Sequence, residues 1–337
     1  MKKIFVVGGI PNPIGGVTSF ISRLADRNMV DCVIDIYPGS IKRVPDNYKG
    51  QVFFKKGVFF FYISYLFGFF GFYNRVFHFN FSRPKSLFLF LLMPKYKNKF
   101  HLTLHHGDLR FNDLSFVEKI IYRLSLRKFD CLYSLSDIQR CFYISMGVNE
   151  NRINLTSSYV PPVKSSNKNI TNFKGSPVDE FVFGKELVFV SSGYPSDFYN
   201  HDWCIEVLKE YPEAKLIVFL YGSGNKNDYY ESLIDSDDLK VIWDASQEYF
   251  NFILSKCDVY LRPSSKDSFG IAVADAINFG LVALASDVCK RYPGAYLFEN
   301  NNYEAFKLSV KYIIEGNYEE LRKESTSYFE EFRYKVE

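Results

Sequence analysis

The sequence predicts an α/β protein made of two tandem Rossmann-like domains. Short β-rich runs alternate with helical patterns through the first half of the chain, stop near Val160-Pro161-Pro162, and resume near residue 187. Strands separated by helices indicate βαβ units and a parallel, doubly wound sheet. A length of 337 residues suits two domains of ordinary size. Because such sheets bind ligands at the carboxyl ends of their strands, we expect a ligand cleft between the two domains.

The first domain is predicted to span residues 1–162. Its expected strands are 3–8, 31–36, 75–80, 100–105, 130–134 and 152–157. Its expected helices are 16–27, 57–73, 84–96, 114–127 and 137–146. Two of these helices begin with capping boxes, Ser115 with Glu118 and Ser136 with Gln139, in which side chains satisfy the free N–H groups of the first turn.

A linker is predicted at residues 163–185, which are rich in Ser, Asn, Lys and Gly and show little periodicity. The second domain is expected at 186–315, with a helix over 316–337 that packs near the domain junction. Its expected strands are 187–192, 215–221, 239–243, 258–262 and 281–285, and its expected helices are 203–210, 246–256 and 271–279.

The charge of the chain is unevenly distributed. Residues 1–160 carry 22 Lys and Arg against 10 Asp and Glu, whereas the remaining residues carry 19 against 28. The net charge of +3 is therefore the sum of a basic first half and an acidic second half. A basic half favours an anionic partner. Because we find no zinc-ligand spacing, helix-turn-helix pattern or RNA-recognition motif, a membrane surface is favoured over nucleic acid. Charges scattered over a solvated face are the alternative.

The cysteine pattern favours the cytoplasm. None of the six cysteines stands in a C-x-x-C pair, and most have apolar neighbours, as buried reduced thiols do. The apolar run after Lys2 and Lys3 ends at Gly8-Gly9, too short for the core of a signal peptide. A buried first strand explains that run better.

The segment from Asp258 to Asp287 carries the most specific motif of the sequence. An aspartate precedes a strand that ends in Pro263-Ser264, two acids follow at Asp267 and Asp275, and a helical pattern leads to a last strand ending in Ala285-Ser286. This arrangement resembles the donor-site signature of retaining GT-B glycosyltransferases of bacterial surface polysaccharides, the group 1 glycosyl transferases. The family more often has glutamates at the two acidic positions.

Three further motifs follow the order of the same family. They are the glycine loop Gly15-Gly16 after the first strand, His105-His106-Gly107-Asp108 after the fourth, and Tyr221-Gly222-Ser223-Gly224 in the second domain. The resemblance therefore extends over most of the chain. It implies that Gly15 and Gly16 approach the donor phosphates or the acceptor, and that His105, or its neighbour His106, lies beside the reacting sugar.

The turn before the helix at 271–279 suits a diphosphate. Free N–H groups and the helix dipole at Ser268, Phe269, Gly270 and Ile271 can hold phosphate oxygens. Asp275, about one turn into the helix, could accept hydrogen bonds from both ribose hydroxyls. By resemblance, Asp267 contacts the hydroxyls of the transferred sugar. The structural alternative is that Asp267 or Ser268 caps the helix and Asp275 lies on its solvent face.

The pyrophosphate clamp departs from the family pattern. The family places an Arg and a Lys soon after the first strand of the second domain, but the residues that follow Gly193 contain neither through Trp203. Arg262 and Lys266 are the nearest substitutes, and we assign them with Gly193 to the donor site. No Asp-x-Asp stands in a loop where a metal could bridge a diphosphate, so we expect no metal and no other cofactor.

An uncharged aromatic run at residues 57–73 predicts contact with a membrane. Lys55 and Lys56 precede it, and Gly57, Ser64, Gly68 and Gly71 share one helical face. The hypothesis is an interfacial helix whose flank, including Phe60 and Phe67, dips into lipid while the lysines contact lipid phosphates. A buried core helix and a marginal membrane span are the alternatives.

These observations predict a peripheral membrane glycosyltransferase at the cytoplasmic face. It would move a hexose-type sugar from a UDP- or GDP-linked donor to a saccharide acceptor during O-antigen or capsule synthesis, with retention of configuration. We expect that acceptor to be linked to a lipid. A catalytically degenerate subunit that binds a partner transferase is one alternative. A nucleotide-sugar epimerase on the same fold is another, and the aromatic helix argues against it.

Overall fold

The chain forms two compact units, residues 1–163 and 164–331. We describe each from a computed structural model. The described residues are 2–11, 15–37, 44–55, 57–71, 73–82, 84–105, 111, 114–156, 159–162, 177–182, 187–233, 236–267, 269–316 and 318–327.

The first unit contains a seven-stranded sheet in which every paired strand is parallel, in the order β3-β2-β1-β4-β5-β6-β7. The strands are β1 Lys3–Gly8, β2 Cys32–Asp35, β3 Gln51–Phe54, β4 Tyr73–Phe81, β5 Lys97–Leu104, β6 Cys131–Ser134 and β7 Ile153–Leu155. The helices are α1 Gly16–Asp26, α2 Val58–Leu66, α3 Phe116–Leu126 and α4 Asp137–Ser145, with 3-10 turns at Pro84–Leu91 and Glu150–Arg152.

Alternating side chains along the central strands give the first sheet two different faces. Phe77 and Phe79 of β4 and Phe100 and Leu102 of β5 belong to one large aromatic core, which α2, the 3-10 turn and α3 cover. On the other face α1 packs over β1 and β2, with Phe20 and Leu24 among its buried residues. The capping box predicted for α3 is present between Ser115 and Glu118. At α4 only half of the predicted box forms, because Ser136 Oγ accepts from the N–H of Gln139 but Gln139 Oε1 accepts from the N–H of Leu135 instead of Ser136.

The second unit contains a six-stranded parallel sheet in the order β10-β9-β8-β11-β12-β13. The strands are β8 Leu187–Gly193, β9 Ala214–Leu220, β10 Leu239–Trp243, β11 Val259–Arg262, β12 Val282–Ser286 and β13 Tyr296–Phe298. The helices are α5 Pro177–Val182, α6 His201–Leu208, α7 Asn227–Ser232, α8 Gln247–Leu254, α9 Ile271–Phe279, α10 Tyr303–Glu315 and α11 Tyr318–Thr326. The predicted α/β class with two Rossmann-like units is thus confirmed.

Several predicted elements differ from the structure. The aromatic helix ends at Leu66 instead of residue 73, because Gly68 and Gly71 adopt positive φ and turn the chain. The segment predicted as a helix over 84–96 is a 3-10 turn followed by extended chain. Strands β3 and β13 were not predicted, and α5 lies within the stretch expected to be a linker.

The described part of the C-terminal helix packs on the second unit. Tyr318 Oη donates to the carbonyl of Asp258 at 2.9 Å, and Arg322 Nε donates to the carbonyl of Gly280 at 2.6 Å. Residues 328–337 of the predicted helix lie outside the described residues. Across the described parts of both units, no helix is long and apolar enough to cross a bilayer.

Candidate functional site

The predicted donor turn lies between β11 and α9, at the carboxyl edge of the second sheet. Helix α9 begins at Ile271, where the sequence placed it, and Gly270 precedes it with φ of +77°. A Cβ atom at Gly270 would lie 2.5 Å from Arg291 Nη1, so both the backbone angle and the space require glycine here. Ser268, the first of the four predicted residues of the turn, lies outside the described residues.

Asp267 is held by two buried guanidinium groups. Arg262 Nε and Arg291 Nη1 both donate to Asp267 Oδ2, at 2.9 and 2.7 Å. Burial alone would raise the pKa of Asp267, but the two positive charges outweigh it and hold the pKa well below its usual range. Asp267 therefore stays a carboxylate, with one of its oxygens fixed by two charge-assisted hydrogen bonds.

Arg291 completes this cluster and was not predicted. Its Nε donates to the carbonyl of Ser286 at 3.0 Å, and its Nη2 lies within hydrogen-bond distance of the hydroxyls of Ser264 and Ser286. Its side chain is 1% exposed. Arg291 follows β12, the strand next to β11, and that topology is the signal by which it could have been found.

The side chain of Arg262 is buried and hydrogen-bonded within the second unit instead of facing solvent. Its Nη1 donates to the carbonyl of Ser192 at the end of β8, and its guanidinium lies 4.4 Å from the centre of the Tyr199 ring. Its side chain is 8% exposed. The arginine that we assigned to phosphate is thus engaged with Asp267, Ser192 and Tyr199.

Lys266 has a different environment. It is exposed in the turn that follows β11, directly before Asp267. Within the part of the chain that the structure describes, we find no ion pair to Lys266. Of the two predicted clamp residues, Lys266 is the one whose charge is accessible to a ligand.

Asp275 lies on the buried side of α9. It is 1% exposed, which excludes the alternative that it sits on the solvent face of the helix. Phe269 and Ile271, on either side of Gly270, are half-buried. The turn therefore combines the N-terminus of a nine-residue helix with a buried acid one turn further on.

Gly193 ends β8 beside this turn. The Tyr199 ring packs directly on it, since a Cβ atom at Gly193 would lie 2.2 Å from Tyr199 Cδ1. The predicted glycine turn after β9 is present, and Gly222 donates its N–H to Asp244 Oδ1 at 3.0 Å. The carboxyl ends of β8 and β9 thus carry close-packed turns, and β8 is the neighbour of β11 in the sheet.

In the first unit, Gly15 lies just before α1. Thr18 Oγ1 accepts a hydrogen bond from Gly15 N at 2.9 Å, and Gly16 is the first residue of the helix. The φ of Gly15 is −170°, which any residue adopts, and among the described residues the nearest atom that a Cβ atom there would meet is Thr18 Oγ1, at 3.9 Å. The described residues of the unit therefore leave space at this position.

His105 follows β5 at the carboxyl edge of the first sheet. Its Nε2 lies 3.0 Å from Asn80 Oδ1, and the Phe20 ring of α1 packs edge-on against it at 5.0 Å. Burial lowers the pKa of His105 to about 3. His106, Gly107 and Asp108 lie outside the described residues.

Two of the residues predicted to face a membrane, Phe60 and Phe67, are exposed. Phe60 is 56% exposed and Phe67 is 82% exposed, whereas Phe61 and Tyr65 of the same helix are buried in the core. Lys55 lies over the Phe69 ring at 4.2 Å. Lys56 lies outside the described residues. Within the described residues, no group of three His, Cys, Asp or Glu side chains could hold a metal ion.

The second unit is similar to a known family. Residues 177–331, just under half of the chain, match the sequence model of the family described as glycosyl transferases group 1. A search of the curated proteins finds no match.

Solved structures share the fold of the whole chain. HepE of Anabaena in complex with UDP has 14% identity and a TM-score of 0.71, with 96% of this chain and 94% of that chain covered. The same protein with UDP-glucose has 13% identity, a TM-score of 0.69 and coverage of 96% and 93%. Sucrose-phosphate synthase of Thermosynechococcus elongatus has 13% identity, a TM-score of 0.63 and coverage of 97% and 95%. The family match and the shared fold together support a GT-B glycosyltransferase.

Proposed function

We propose that the protein transfers a hexose from a UDP- or GDP-linked donor to a saccharide acceptor, with retention at the anomeric carbon. One observation carries the proposal. The segment that matches the group 1 family places a helix N-terminus, an exposed lysine and a buried acid around one turn at the carboxyl edge of the second sheet. Such an edge is where ligands of doubly wound sheets bind.

The diphosphate is bound at the start of α9. Its first N–H groups have no partner within the helix and carry the positive end of the helix dipole. Gly270, which has no side chain, lets the phosphate oxygens approach the backbone. Lys266 supplies the mobile positive charge that the family takes from an Arg and Lys elsewhere. UDP is the first candidate nucleotide, since the Anabaena structures contain UDP and UDP-glucose.

Arg262 and Arg291 have an indirect role in this scheme. They neutralise Asp267, fix one of its oxygens and hold the turn in shape, so that the loop presents its backbone to the donor. Asp267 contacts the transferred sugar, and Asp275 holds the ribose diol. Neither role needs a second carboxylate, which agrees with a mechanism without a covalent nucleophile.

The reaction is a same-face displacement. The acceptor hydroxyl attacks the anomeric carbon as the nucleotide leaves, and the leaving phosphate takes the proton of that hydroxyl. The protein contributes position and charge stabilisation. By the resemblance to the family, we assign Gly15 of the first unit to the donor phosphates or the acceptor, and His105 to the reacting sugar.

A lipid-linked acceptor is favoured by the outer surface of the first unit. Exposed apolar side chains lie on three neighbouring segments that cover the same sheet face, namely α2, the turn at Pro84–Leu91 and α3. They are Phe59, Phe60, Phe67, Phe88, Leu92, Phe116, Val117, Ile120 and Leu124. Tyr62 Oη donates to the carbonyl of Leu92, which joins the first two segments. Large exposed apolar patches mark membrane or protein interfaces.

Basic residues also line a groove of the first unit. A groove of about 560 Å³ at the amino ends of β1 to β4 is lined by Lys3, Lys49 and Arg75 together with Phe69 and Phe70. Cations beside an exposed aromatic ring, here Phe69, suit the headgroup region of an anionic bilayer. We therefore propose a peripheral membrane enzyme of surface polysaccharide synthesis at the cytoplasmic face.

A degenerate subunit that binds a partner transferase is the second candidate. It is favoured by the engagement of Arg262 with Asp267 and Ser192, which leaves one of the two predicted clamp residues without access to a phosphate. Such a subunit would keep the fold and the surface but would not turn over a donor.

A thermal-shift screen of nucleotide sugars, followed by a transfer assay, tests both candidates. A donor at about 100 times its Kd stabilises the native protein by about 2.7 kcal/mol, and Asp275→Ala should abolish that shift. Turnover of the same donor supports the transferase. Binding of a partner without donor binding or turnover supports the degenerate subunit instead.

A further inference from the structure

A buried polar strip runs along one face of the first sheet. Because strand residues alternate between faces, His78 and Asn80 of β4 lie opposite Phe77, Phe79 and Phe81 of the aromatic core. His101 and Thr103 of β5 pair with His78 and Asn80 in register. All four side chains are at most 2% exposed. The strip leads along the strands to His105 at their carboxyl end.

The hydrogen bonds of Asn80 fix the orientation of its side-chain amide. Asn80 Nδ2 donates to the main-chain carbonyl of His78 at 3.1 Å. A carbonyl oxygen accepts hydrogen bonds and does not donate, so the amide nitrogen must be the atom on that side. The amide oxygen of Asn80 must then face His105, 3.0 Å from Nε2.

This orientation decides which nitrogen of His105 carries the proton. An amide oxygen accepts, so Nε2 of His105 must donate. Since burial keeps the ring neutral at physiological pH, its single proton lies on Nε2 and its Nδ1 has a lone pair.

We infer that Asn80 is a positioning residue, which holds His105 in the Nε2–H tautomer and so makes Nδ1 the hydrogen-bond acceptor for a hydroxyl group of the ligand. The second half of this inference rests on the proposed function, since it needs a sugar beside His105. The first half concerns the ligand-free protein alone.

The surroundings of His105 keep its ring in place for this role. The Phe20 ring packs edge-on against the imidazole, and the main-chain N–H of His105 donates to the carbonyl of Phe81 at 2.7 Å. Asn80 itself is fully buried, so water does not compete for its oxygen. When the ring accepts a hydrogen bond from a hydroxyl group, the O–H bond points at Nδ1. The lone pairs of the hydroxyl oxygen then point away from the ring.

NMR of the ring nitrogens and carbons of histidine tests the tautomer directly. The chain has five histidines, and a His105→Asn variant identifies the signals of His105. We expect the Nε2–H pattern in the wild-type protein without ligand. Asn80→Leu removes the acceptor and should give a mixture of tautomers, whereas Asn80→Asp keeps an acceptor and should keep the proton on Nε2.

Thr103→Val is the matched control. It removes the 2.8 Å hydrogen bond between Thr103 and His78 in the same strip but leaves the contact of Asn80 with His105. The His105 signals should then stay as in the wild type. An Nδ1–H pattern in the wild type, or an unchanged tautomer in Asn80→Leu, would overturn the inference.

A transfer assay tests the contact between His105 Nδ1 and a hydroxyl group of the ligand. The donor is UDP-glucose or whichever donor the thermal screen identifies. Asn80→Leu should lower kcat by about tenfold, the factor that one ordinary hydrogen bond supplies, with little change in the KM for donor, and Asn80→Asp should restore most of it. Equal kcat values in all three proteins would overturn the contact with the hydroxyl. If the wild type turned over no donor, the proposed function would fail, while the ligand-free spectra would still decide the tautomer.

Discussion

Arg291 and Asp267 are 24 residues apart in sequence and form an ion pair of 2.7 Å in which the arginine side chain is 1% exposed and the aspartate 11%. Arg262 Nε contacts the same carboxylate oxygen at 2.9 Å. Two positive charges thus share one carboxylate at the turn where we propose that a diphosphate binds. The cluster leaves a positive excess near the start of α9, which favours an anionic ligand.

Removal of Arg291 should destabilise the second unit strongly. Arg291→Met leaves Asp267 with one guanidinium and takes the donors from two serine hydroxyls, so we expect a loss of about 3–5 kcal/mol, the usual cost of breaking a buried pair. Both tryptophans of the chain, Trp203 and Trp243, lie in the second unit and report its urea unfolding.

The control for Arg291 is an ion pair at the surface. Lys307 and Glu210 lie 2.6 Å apart with side chains 37% and 42% exposed. Lys307→Met should leave the urea midpoint nearly unchanged, because exposed pairs contribute little. Similar losses in both variants would contradict the structural role given to the buried cluster.

Gly270→Ala should destabilise the second unit more than Gly280→Ala. Gly270 directly precedes α9 and Gly280 directly follows it, and both have positive φ, +77° and +92°. An alanine at either position pays about 1–2 kcal/mol of backbone strain. At Gly270 the methyl group would also lie 2.5 Å from Nη1 of the buried Arg291, whereas at Gly280 it meets the exposed end of Arg322 at 3.3 Å, which can move.

The extra loss at Gly270 should be about 1–3 kcal/mol, the usual cost of overpacking. Urea unfolding followed by tryptophan fluorescence measures both variants. Equal losses would show that the Arg291 side chain moves aside without cost, and would weaken the argument that the turn is held rigid.

Low pH should lower the free energy of unfolding of the second unit, because His201 is buried as a neutral ring. Burial lowers the pKa of His201 to about 3, and its Nδ1 is 2.9 Å from the Ser191 hydroxyl. The unfolded chain takes up a proton near pH 6.5 and the folded one does not. The stability contributed by the neutral ring is therefore complete above about pH 6.5 and falls by about 1.4 kcal/mol per pH unit as pH drops towards 3.

Urea midpoints at several pH values between 6.5 and 4 measure this slope. The pKa of Asp267 is depressed, so its contribution to stability is lost below the unfolded value of about 3.9 and lies outside this window. His201→Phe, which keeps a ring stacked on Tyr199, should lower the slope by one proton. An unchanged slope would show that His201 does not carry the effect.

The order of elements was predictable because it depends on local patterns. Helix α9 begins at Ile271 and β1 spans Lys3–Gly8, as predicted, since caps, glycines and apolar periods act within a few residues. Strands β3 and β13 were missed because both are short and lie at sheet edges, where half-exposed side chains blur the alternation.

The donor turn was predictable in position but not in its contacts. The motif allowed Asp267, Gly270 and Asp275 to be predicted as residues of the donor turn. The partners of Asp267, however, depend on the order of β8, β11 and β12 in the sheet. Arg262 was assigned to phosphate as the nearest basic substitute, at the end of the opposite strand, but in the structure its guanidinium binds Asp267 and the carbonyl of Ser192 instead. Contacts between strand ends need the three-dimensional structure.

Lys266 should contribute to the affinity for a diphosphate and not to that for a nucleoside. Lys266→Gln removes an exposed positive charge next to the proposed phosphate site, so we expect roughly fivefold weaker binding of UDP and unchanged binding of uridine. Isothermal titration calorimetry at low salt measures both ligands.

Lys256→Gln is the control for overall charge. Lys256 follows α8 and comes before β11, so it lies at the amino edge of the sheet, whereas Lys266 follows β11 at the carboxyl edge. The Lys256→Gln variant should bind UDP with the same affinity as the wild type. Equal weakening by both substitutions would indicate a general effect of net charge and would remove Lys266 from the site.

Binding to anionic vesicles should depend on the exposed rings of the first unit. Phe60→Ser with Phe67→Ser removes two rings that are 56% and 82% exposed, so the core stays intact while apolar area available to lipid is lost. Burial of one phenylalanine contributes roughly 1.5–3 kcal/mol, and the double variant should partition into vesicles at least about tenfold more weakly. Co-sedimentation with vesicles that contain phosphatidylglycerol measures this.

Leu308→Ser is the matched control for that experiment. Leu308 is 65% exposed on α10 of the second unit, away from the aromatic segment in the chain, so its loss lowers surface hydrophobicity without touching the proposed face. It should sediment like the wild type. If the double phenylalanine variant also sedimented like the wild type, the exposed face of α2 would not be the membrane contact, and the basic groove at Lys3 and Arg75 would have to bind lipid without it.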